Sequence, residues 1–205
     1  MKNYIKEKLK WIVAGIALFI FTIILVLIIK DNLHPFDFTI FQALRKLENK
    51  TTTAILKFFS FIGGTIGVIV ITLIFSICIK NKKIVQKTWL NLVLVVFANQ
   101  TLKNIIDRPR PVWDKLSEAS GYSFPSGHTM TAVAFYGLFI YFINQNIKNK
   151  KIKILLTIIL AIIAIMIGVS RIYLGVHYAS DVIAGGMLSI AYLIIFITLT
   201  EKKSI

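Results

Sequence analysis

The chain has 205 residues, of which 57% are hydrophobic and 16% charged, with a formal net charge of +15. A soluble domain has about 45–50% apolar and about 25% charged residues, so this composition excludes a soluble, disordered or fibrous protein. The basic residues lie in short clusters between long apolar runs, whereas a nucleic-acid binder needs them on one exposed face. We therefore expect a single membrane domain, residues 1–205, whose partner is the lipid bilayer and not nucleic acid.

Six apolar runs are long enough to cross a bilayer as helices, which takes about 20 residues each. The first run is longer than the apolar part of a secretion signal, about 7–15 residues, and is interpreted as a retained helix. The predicted fold class is thus all-α, an integral membrane bundle of six transmembrane helices. The predicted spans are 11–29, 54–79, 88–106, 126–144, 154–169 and 178–200.

The segment 38–50, between the first two spans, has an amphipathic pattern. Phe38, Phe41, Leu44 and Leu47 recur at helical spacing, with basic side chains between them. This pattern predicts a helix lying in the membrane interface. Two roles remain open for it: a lid or wall at a lipid entrance, and a simple anchor between two spans.

The distribution of basic residues predicts the orientation. The two terminal segments and the loops 80–87 and 148–153 carry 14 lysines against two acidic residues. Cytoplasmic loops have an excess of Lys and Arg, so both termini are expected in the cytoplasm. The opposite loops contain all three histidines, all four prolines and all four arginines. Any chemistry is therefore expected on the extracytoplasmic side of the cell membrane.

Three cations on that side could bind one anion: Lys103, Arg110 and Arg171. The planar fork of Arg suits phosphate because it donates two parallel hydrogen bonds. Ser126 is placed to cap the helix that follows it, whose first N–H groups form an anion site. Gly127 would let a ligand approach the backbone closely. These five residues are the candidate phosphate-binding set.

His177 and Asp181 are four residues apart, which places them on one face of a helix. A carboxylate that accepts from one imidazole nitrogen leaves the other free to attack. His128, in the first turn of the fourth span, could protonate a leaving oxygen. A buried structural His–Asp pair and half of a metal site are the alternatives. The metal site is disfavoured because the three cations would repel a metal ion, so no metal and no cofactor is expected.

The combined pattern resembles the type 2 phosphatidic acid phosphatase superfamily, integral-membrane lipid phosphatases related in fold to vanadium haloperoxidases. Its three motifs are Lys-x6-Arg-Pro, Pro-Ser-Gly-His and Ser-Arg-x5-His-x3-Asp. The matching residues are Lys103, Arg110 and Pro111; Pro125, Ser126, Gly127 and His128; and Ser170, Arg171, His177 and Asp181. Three further residues fall outside the motifs. Asp107 and Arg108 are interpreted as residues near or at the rim of the site, and His34 as an ordinary loop histidine.

The resemblance implies a metal-independent phosphatase acting on a membrane lipid. It implies that His177 is the nucleophile, that Asp181 orients it and that His128 protonates the leaving group. Its bacterial branch implies undecaprenyl pyrophosphate or phosphatidylglycerol phosphate as substrate. A lipid phosphotransferase of the same fold and a non-enzymatic carrier of anionic lipids are the alternatives.

Overall fold

The computed structural model describes residues 2–202, with side chains described for residues 8–201. This part of the chain contains eight helices and no strand, which confirms the all-α prediction. The helices are α1 (Lys2–Ile29), α2 (His34–Arg45), α3 (Lys50–Gly63), α4 (Thr65–Cys78), α5 (Lys82–Ile106), α6 (Gly127–Asn146), α7 (Lys150–Tyr173) and α8 (Ala179–Lys202).

Four helices in the described range are long and apolar enough to cross a membrane: α1, α5, α7 and α8. The number becomes five if α3 and α4 together form one bent span. Helix α6 corresponds to the predicted span 126–144 and is not among them. The chain is therefore a multi-pass helical membrane protein, and six spans stay a prediction.

The predicted span 54–79 is not one continuous helix in the structure, because α3 and α4 meet at an angle of 62°. Gly64 lies at the break with an extended backbone, and follows Gly63, the last residue of α3. A Cβ on Gly67 would lie 2.2 Å from the Phe61 carbonyl oxygen, so only glycine allows the end of α3 to cross α4 this closely. Apolar composition continues across the break, and hydropathy alone therefore did not indicate it.

The predicted helix 38–50 is displaced in the structure, where α2 runs from His34 to Arg45. Its buried face includes Phe41, which packs with Ile172 and Ala179, whereas Leu47 lies beyond the helix and is exposed. The side chain of Asn49 accepts a hydrogen bond from the Thr52 N–H (2.9 Å) and so begins α3 instead of continuing α2.

Helix α6 is the centre of the bundle and packs against α3, α5, α7 and α8. Five of its side chains are fully buried: Met130, Ala132, Ala134, Phe135 and Leu138. Because α6 is surrounded by apolar helices, its first turn is held at a fixed place inside the bundle. That turn carries Gly127 and His128.

Candidate active site

The polar clusters meet at one end of the bundle. The Ser126 N–H donates to the Asp181 carbonyl (3.2 Å), which joins the start of α6 to α8. The Leu116 N–H donates to the Leu174 carbonyl (3.1 Å), which joins the loop 107–126 to the turn between α7 and α8. The end of α5, the start of α6 and this turn therefore form one pocket.

The turn before α8 depends on Gly175. Its φ of +73° is in the left-handed region, and a Cβ there would lie 2.5 Å from the Asp114 carbonyl oxygen. Only glycine combines this backbone conformation with so close an approach. The turn places His177 just outside α8, so the prediction that His177 and Asp181 share a helix face is wrong.

His177 and Asp181 nevertheless contact each other. His177 Nδ1 lies 3.3 Å from Asp181 Oδ2, and the same oxygen accepts the Tyr178 N–H (3.0 Å). His177 is 2% exposed and Asp181 is fully buried. The carboxylate at Nδ1 favours the tautomer that carries its proton there, which leaves the Nε2 lone pair free.

The guanidinium of Arg110 lies on the other side of the ring. Arg110 Nη1 is 3.3 Å from His177 Nε2 and donates to the Val176 carbonyl (2.8 Å). Its Nε donates to the Gly121 carbonyl (2.9 Å) and its Nη2 to the Ser120 carbonyl (2.7 Å). The loop and the turn thus hold the guanidinium rigidly beside the nitrogen that would attack.

The surroundings of His177 favour a neutral ring. Burial lowers the pKa of His177 to about 4, and the charges of Arg110 and Arg171 lower it further against the opposing effect of Asp181. Burial also lowers the pKa of Arg110, which remains a cation near neutral pH because a guanidinium is not deprotonated in proteins. Near pH 7 the pocket therefore combines a neutral imidazole with fixed positive charge.

Lys103 and Arg171 are the other two cations that the sequence predicts for the anion site. The Lys103 ammonium donates to the Tyr122 carbonyl, and Arg171 donates through Nη1 to the Ser60 hydroxyl of α3. Arg171 is 5% exposed, and its buried Nε has no hydrogen-bond partner among the described residues. Buried N–H groups are normally paired, so this donor suits an anionic ligand.

Ser126 and Gly127 lie in the pocket but differ from expectation. Ser126 makes no side-chain cap on α6, and its hydroxyl instead accepts from the Thr129 hydroxyl (3.0 Å). A Cβ on Gly127 would lie 2.8 Å from Asn99 Oδ1. The small residue is therefore required by Asn99, a neighbour that the sequence did not reveal, and not by a ligand alone.

His128 faces the bend between α3 and α4, with Nε2 lying 3.3 Å from where a Cβ on Gly64 would be. It lies within electrostatic range of His177, Arg110, Arg171 and Lys103. The structure thus brings all eight candidate site residues to one region. Their catalytic and binding roles stay predictions.

A cavity of about 660 Å³ leads from His128 and Gly127 along α4 and α5. Its wall is mostly apolar and includes Val68, Leu92, Val93 and Phe97. A volume of this size is within the range of pockets for organic ligands. The cavity therefore has two candidate site residues in its wall and extends from them along an apolar path between helices.

Sequence reasoning missed a buried group that contacts the site. Arg108, interpreted as a residue near or at the rim of the site, donates to Asp37 and Asp181, and Asp37 also contacts Ser180. Asp37 is an isolated acidic residue just before the amphipathic segment 38–50, and no local pattern indicated its partner. Among the side chains of residues 8–201 there is no group of three His, Cys, Asp or Glu placed to hold a metal ion.

The bundle and its polar pocket define a multi-pass helical membrane protein with a cluster of cationic side chains at one end of its helices. Residues 85–205 match the family model described as the PAP2 superfamily. The chain belongs to this superfamily, which confirms the resemblance seen in the motifs.

Two curated relatives are named phosphatidylglycerophosphatase B. The chain is 40% identical over 115 residues to the Bacillus subtilis protein, covering 51% of this chain and 55% of the relative. It is 31% identical over 103 residues to the Haemophilus influenzae protein, covering 49% of this chain and 42% of the relative. The chain thus matches about half the length of these relatives.

Two solved structures share the fold. A transmembrane PAP2 type phosphatidylglycerolphosphate phosphatase from Bacillus subtilis has a TM-score of 0.84 and 26% identity, covering 92% of this chain and 96% of that one. LpxE from Aquifex aeolicus has a TM-score of 0.66 and 23% identity, covering 80% of this chain and 95% of that one, and supports the fold alone.

Proposed function

We propose that this protein is a metal-independent lipid phosphatase that removes a phosphate from a membrane lipid phosphate or pyrophosphate through a phosphohistidine. The observation that carries the proposal is the buried His177 ring, with Asp181 at Nδ1 and Arg110 at Nε2. A carrier of anionic lipids needs the cations but gains nothing from an imidazole whose attacking nitrogen is oriented by a carboxylate. Phosphoryl transfer needs both.

The proposed reaction has two steps. In the first, a bond forms between Nε2 of His177 and phosphorus while the bond from phosphorus to the lipid oxygen breaks, and His128 gives that oxygen a proton. In the second, water attacks phosphorus, His128 takes a proton from the water, and the nitrogen–phosphorus bond breaks to release inorganic phosphate. Lys103, Arg110 and Arg171 balance the charge on the phosphoryl oxygens, together with the Ser126 hydroxyl and the Gly127 N–H.

The apolar cavity beside His128 supports a lipid as the substrate. It offers an apolar chain a path between α4 and α5 while the phosphate lies among the cations. The names of two curated relatives and one solved structure favour phosphatidylglycerol phosphate. Undecaprenyl pyrophosphate stays in the proposal because the predicted pocket faces outward, where that lipid exposes its pyrophosphate.

The proposed topology has six spans, with α3 and α4 as one bent span and both termini in the cytoplasm.

The decisive experiment measures phosphate release by purified protein in detergent with EDTA present. The panel contains phosphatidylglycerol phosphate, undecaprenyl pyrophosphate, phosphatidic acid and a soluble phosphate ester. We expect release from at least one lipid, and loss of more than nine-tenths of it in His177→Ala because the nucleophile is gone. His34→Ala is the matched control and should retain activity, since His34 is outside the pocket.

Other outcomes would overturn parts of the proposal. Full activity in His177→Ala would remove this residue from the nucleophile role. Labelled phosphate appearing on a second lipid instead of in solution would make the protein a phosphotransferase. Loss of release in EDTA that zinc or magnesium restores would contradict metal-independent chemistry.

A further inference from the structure

Arg108 lies between two buried carboxylates from different parts of the chain. Its Nη1 donates to Asp181 Oδ1 (2.6 Å) and its Nη2 to Asp37 Oδ2 (2.9 Å). Both carboxylates are fully buried, and the Arg108 side chain is 13% exposed. A charge in such a place is retained only with close partners, because removing it from water costs several kcal/mol.

Asp37 also fixes the beginning of α8. Its Oδ1 accepts the Ser180 N–H (2.8 Å), and its Oδ2 accepts the Ser180 hydroxyl (2.7 Å). The same hydroxyl accepts from Arg108 Nη1 (2.8 Å). A carboxylate that receives an N–H from the first turn of a helix stabilises that turn and its charge complements the helix dipole. Helix α2 is thereby joined to the first turn of α8, which carries Asp181.

Arg108 determines which oxygen of Asp181 is available to His177. Arg108 occupies Oδ1, so Oδ2 is left for His177 Nδ1 and the Tyr178 N–H. The Arg108 guanidinium carbon lies 3.9 Å from the centre of the Tyr178 ring, a cation–π contact that fixes its plane. Asp181 is therefore held through both of its carboxylate oxygens.

We propose that Arg108 and Asp37 are positioning residues for the His177–Asp181 pair: Arg108 orients Asp181, and Asp37 orients Arg108 and balances its charge. The catalytic consequence rests on the proposed phosphatase function, whereas the effect on the His177 ring does not. The two residues carry opposite charges at similar places, so their neutralisation has opposite effects on His177. A loss of contacts because the fold loosens would not shift the pKa of His177 in opposite directions in the two variants.

The signs follow from the charges around the pair. His177 faces Asp181, Arg110 and Arg171, and His128 is in electrostatic range. The groups that face Asp181 are Arg108, Lys103, Arg110 and Tyr178. Removing the Arg108 cation makes the local potential more negative and raises the pKa of His177. Removing the Asp37 anion leaves the charge of Arg108 less compensated, which lowers the pKa of His177. Each variant keeps all the other charged groups named here, so the change in charge alone sets the direction of the shift.

The test is an NMR titration of ¹⁵N-histidine-labelled protein in detergent, with the His177 signal assigned by its loss in His177→Gln. We expect the midpoint to rise in Arg108→Gln and to fall in Asp37→Asn, while Arg108→Lys stays near the wild type because it keeps the charge. Matched controls are Arg45→Gln and Asp114→Asn, another ion pair between α2 and the loop 107–126. Neither control should move the midpoint.

Phosphate release supplies the second readout. Arg108→Lys and Arg108→Gln should lower kcat about 10–100-fold, by analogy with the partners that orient metal-binding histidines, with KM changed far less. Midpoint shifts of the same sign in Arg108→Gln and Asp37→Asn, or none in either, would overturn the positioning role. If the wild type releases no phosphate, the proposed function fails, and the titration still decides this inference because it needs no substrate.

Discussion

At the scale of single residues, the two nitrogens of the His177 ring face opposite charges. Asp181 at Nδ1 favours a proton there, and Arg110 at Nε2 disfavours a proton on the second nitrogen. Burial also disfavours the protonated ring, so the pKa of His177 lies well below the usual imidazole value of about 6.5. The charge arrangement thus fixes both the tautomer and the nitrogen that would attack.

Two glycines test how strictly the turn before α8 places His177. Gly175 and Gly121 both have positive φ, but only Gly175 is crowded, by the Asp114 carbonyl. Gly121→Ala should cost about 1–2 kcal/mol of stability, the ordinary penalty for a left-handed backbone. Gly175→Ala should cost more and reduce phosphate release, because the turn must move. Thermal unfolding in detergent and kcat/KM measure this, and equal effects of the two changes would contradict it.

Motif spacing could predict that Arg110, His177 and Asp181 belong to one site, because each stands in a recognisable short pattern. It could not predict Asp37 or Ser60, which come from α2 and α3. Their contacts are tertiary, and a single Asp or Ser in a helix carries no local signal of its distant partner. For the same reason the sequence explained Gly127 by a ligand, when Asn99 lies against it.

At the scale of elements, the break between α3 and α4 determines the shape of the pocket. Gly63 and Gly64 end α3, and the bend directs Gly64 toward His128. A continuous helix would also have been apolar enough to span a membrane, so composition could not distinguish the two arrangements. Backbone propensity at two adjacent glycines was the available signal, and it is weak because single glycines are common in membrane helices.

The close crossing at this break can be tested through Gly67. Gly67→Ala should destabilise the protein, because its Cβ would be 2.2 Å from the Phe61 carbonyl oxygen. Gly15→Ala in α1 is the matched control, since nothing lies within 4 Å of its Cβ position. That change should be neutral or stabilising by about 0.5–1 kcal/mol, because alanine favours a helix. Unfolding temperatures in detergent provide the comparison, and a Gly67→Ala variant as stable as Gly15→Ala would show that the crossing tolerates a side chain.

At the scale of the whole molecule, the proposed topology places the loops at the two ends of the bundle on opposite sides of the membrane. The lysine clusters near α5 and α7 lie at one end, and the pocket lies at the other. Charge bias is a property of whole loops and could be counted from the sequence. The broken span, in contrast, depends on local backbone geometry.

Cys78 is the single cysteine of the chain, so its replacement by Ser gives a clean background for mapping. In that background, Glu118→Cys in the pocket-side loop should react with a membrane-impermeant maleimide on intact cells. Lys83→Cys, at the start of α5, should react only after permeabilisation. The reverse pattern would place the pocket in the cytoplasm and contradict the proposed orientation.

The contact between Asp37 and Arg108 also limits how this fold can be recombined. Asp37 lies before the family-matched region 85–205, whereas Arg108 lies inside it. A chimera that joined this region to the front helices of another superfamily member would bury a guanidinium with one carboxylate fewer. We expect such hybrids to need an acidic residue transplanted along with the arginine, so these two positions should be inherited as a unit.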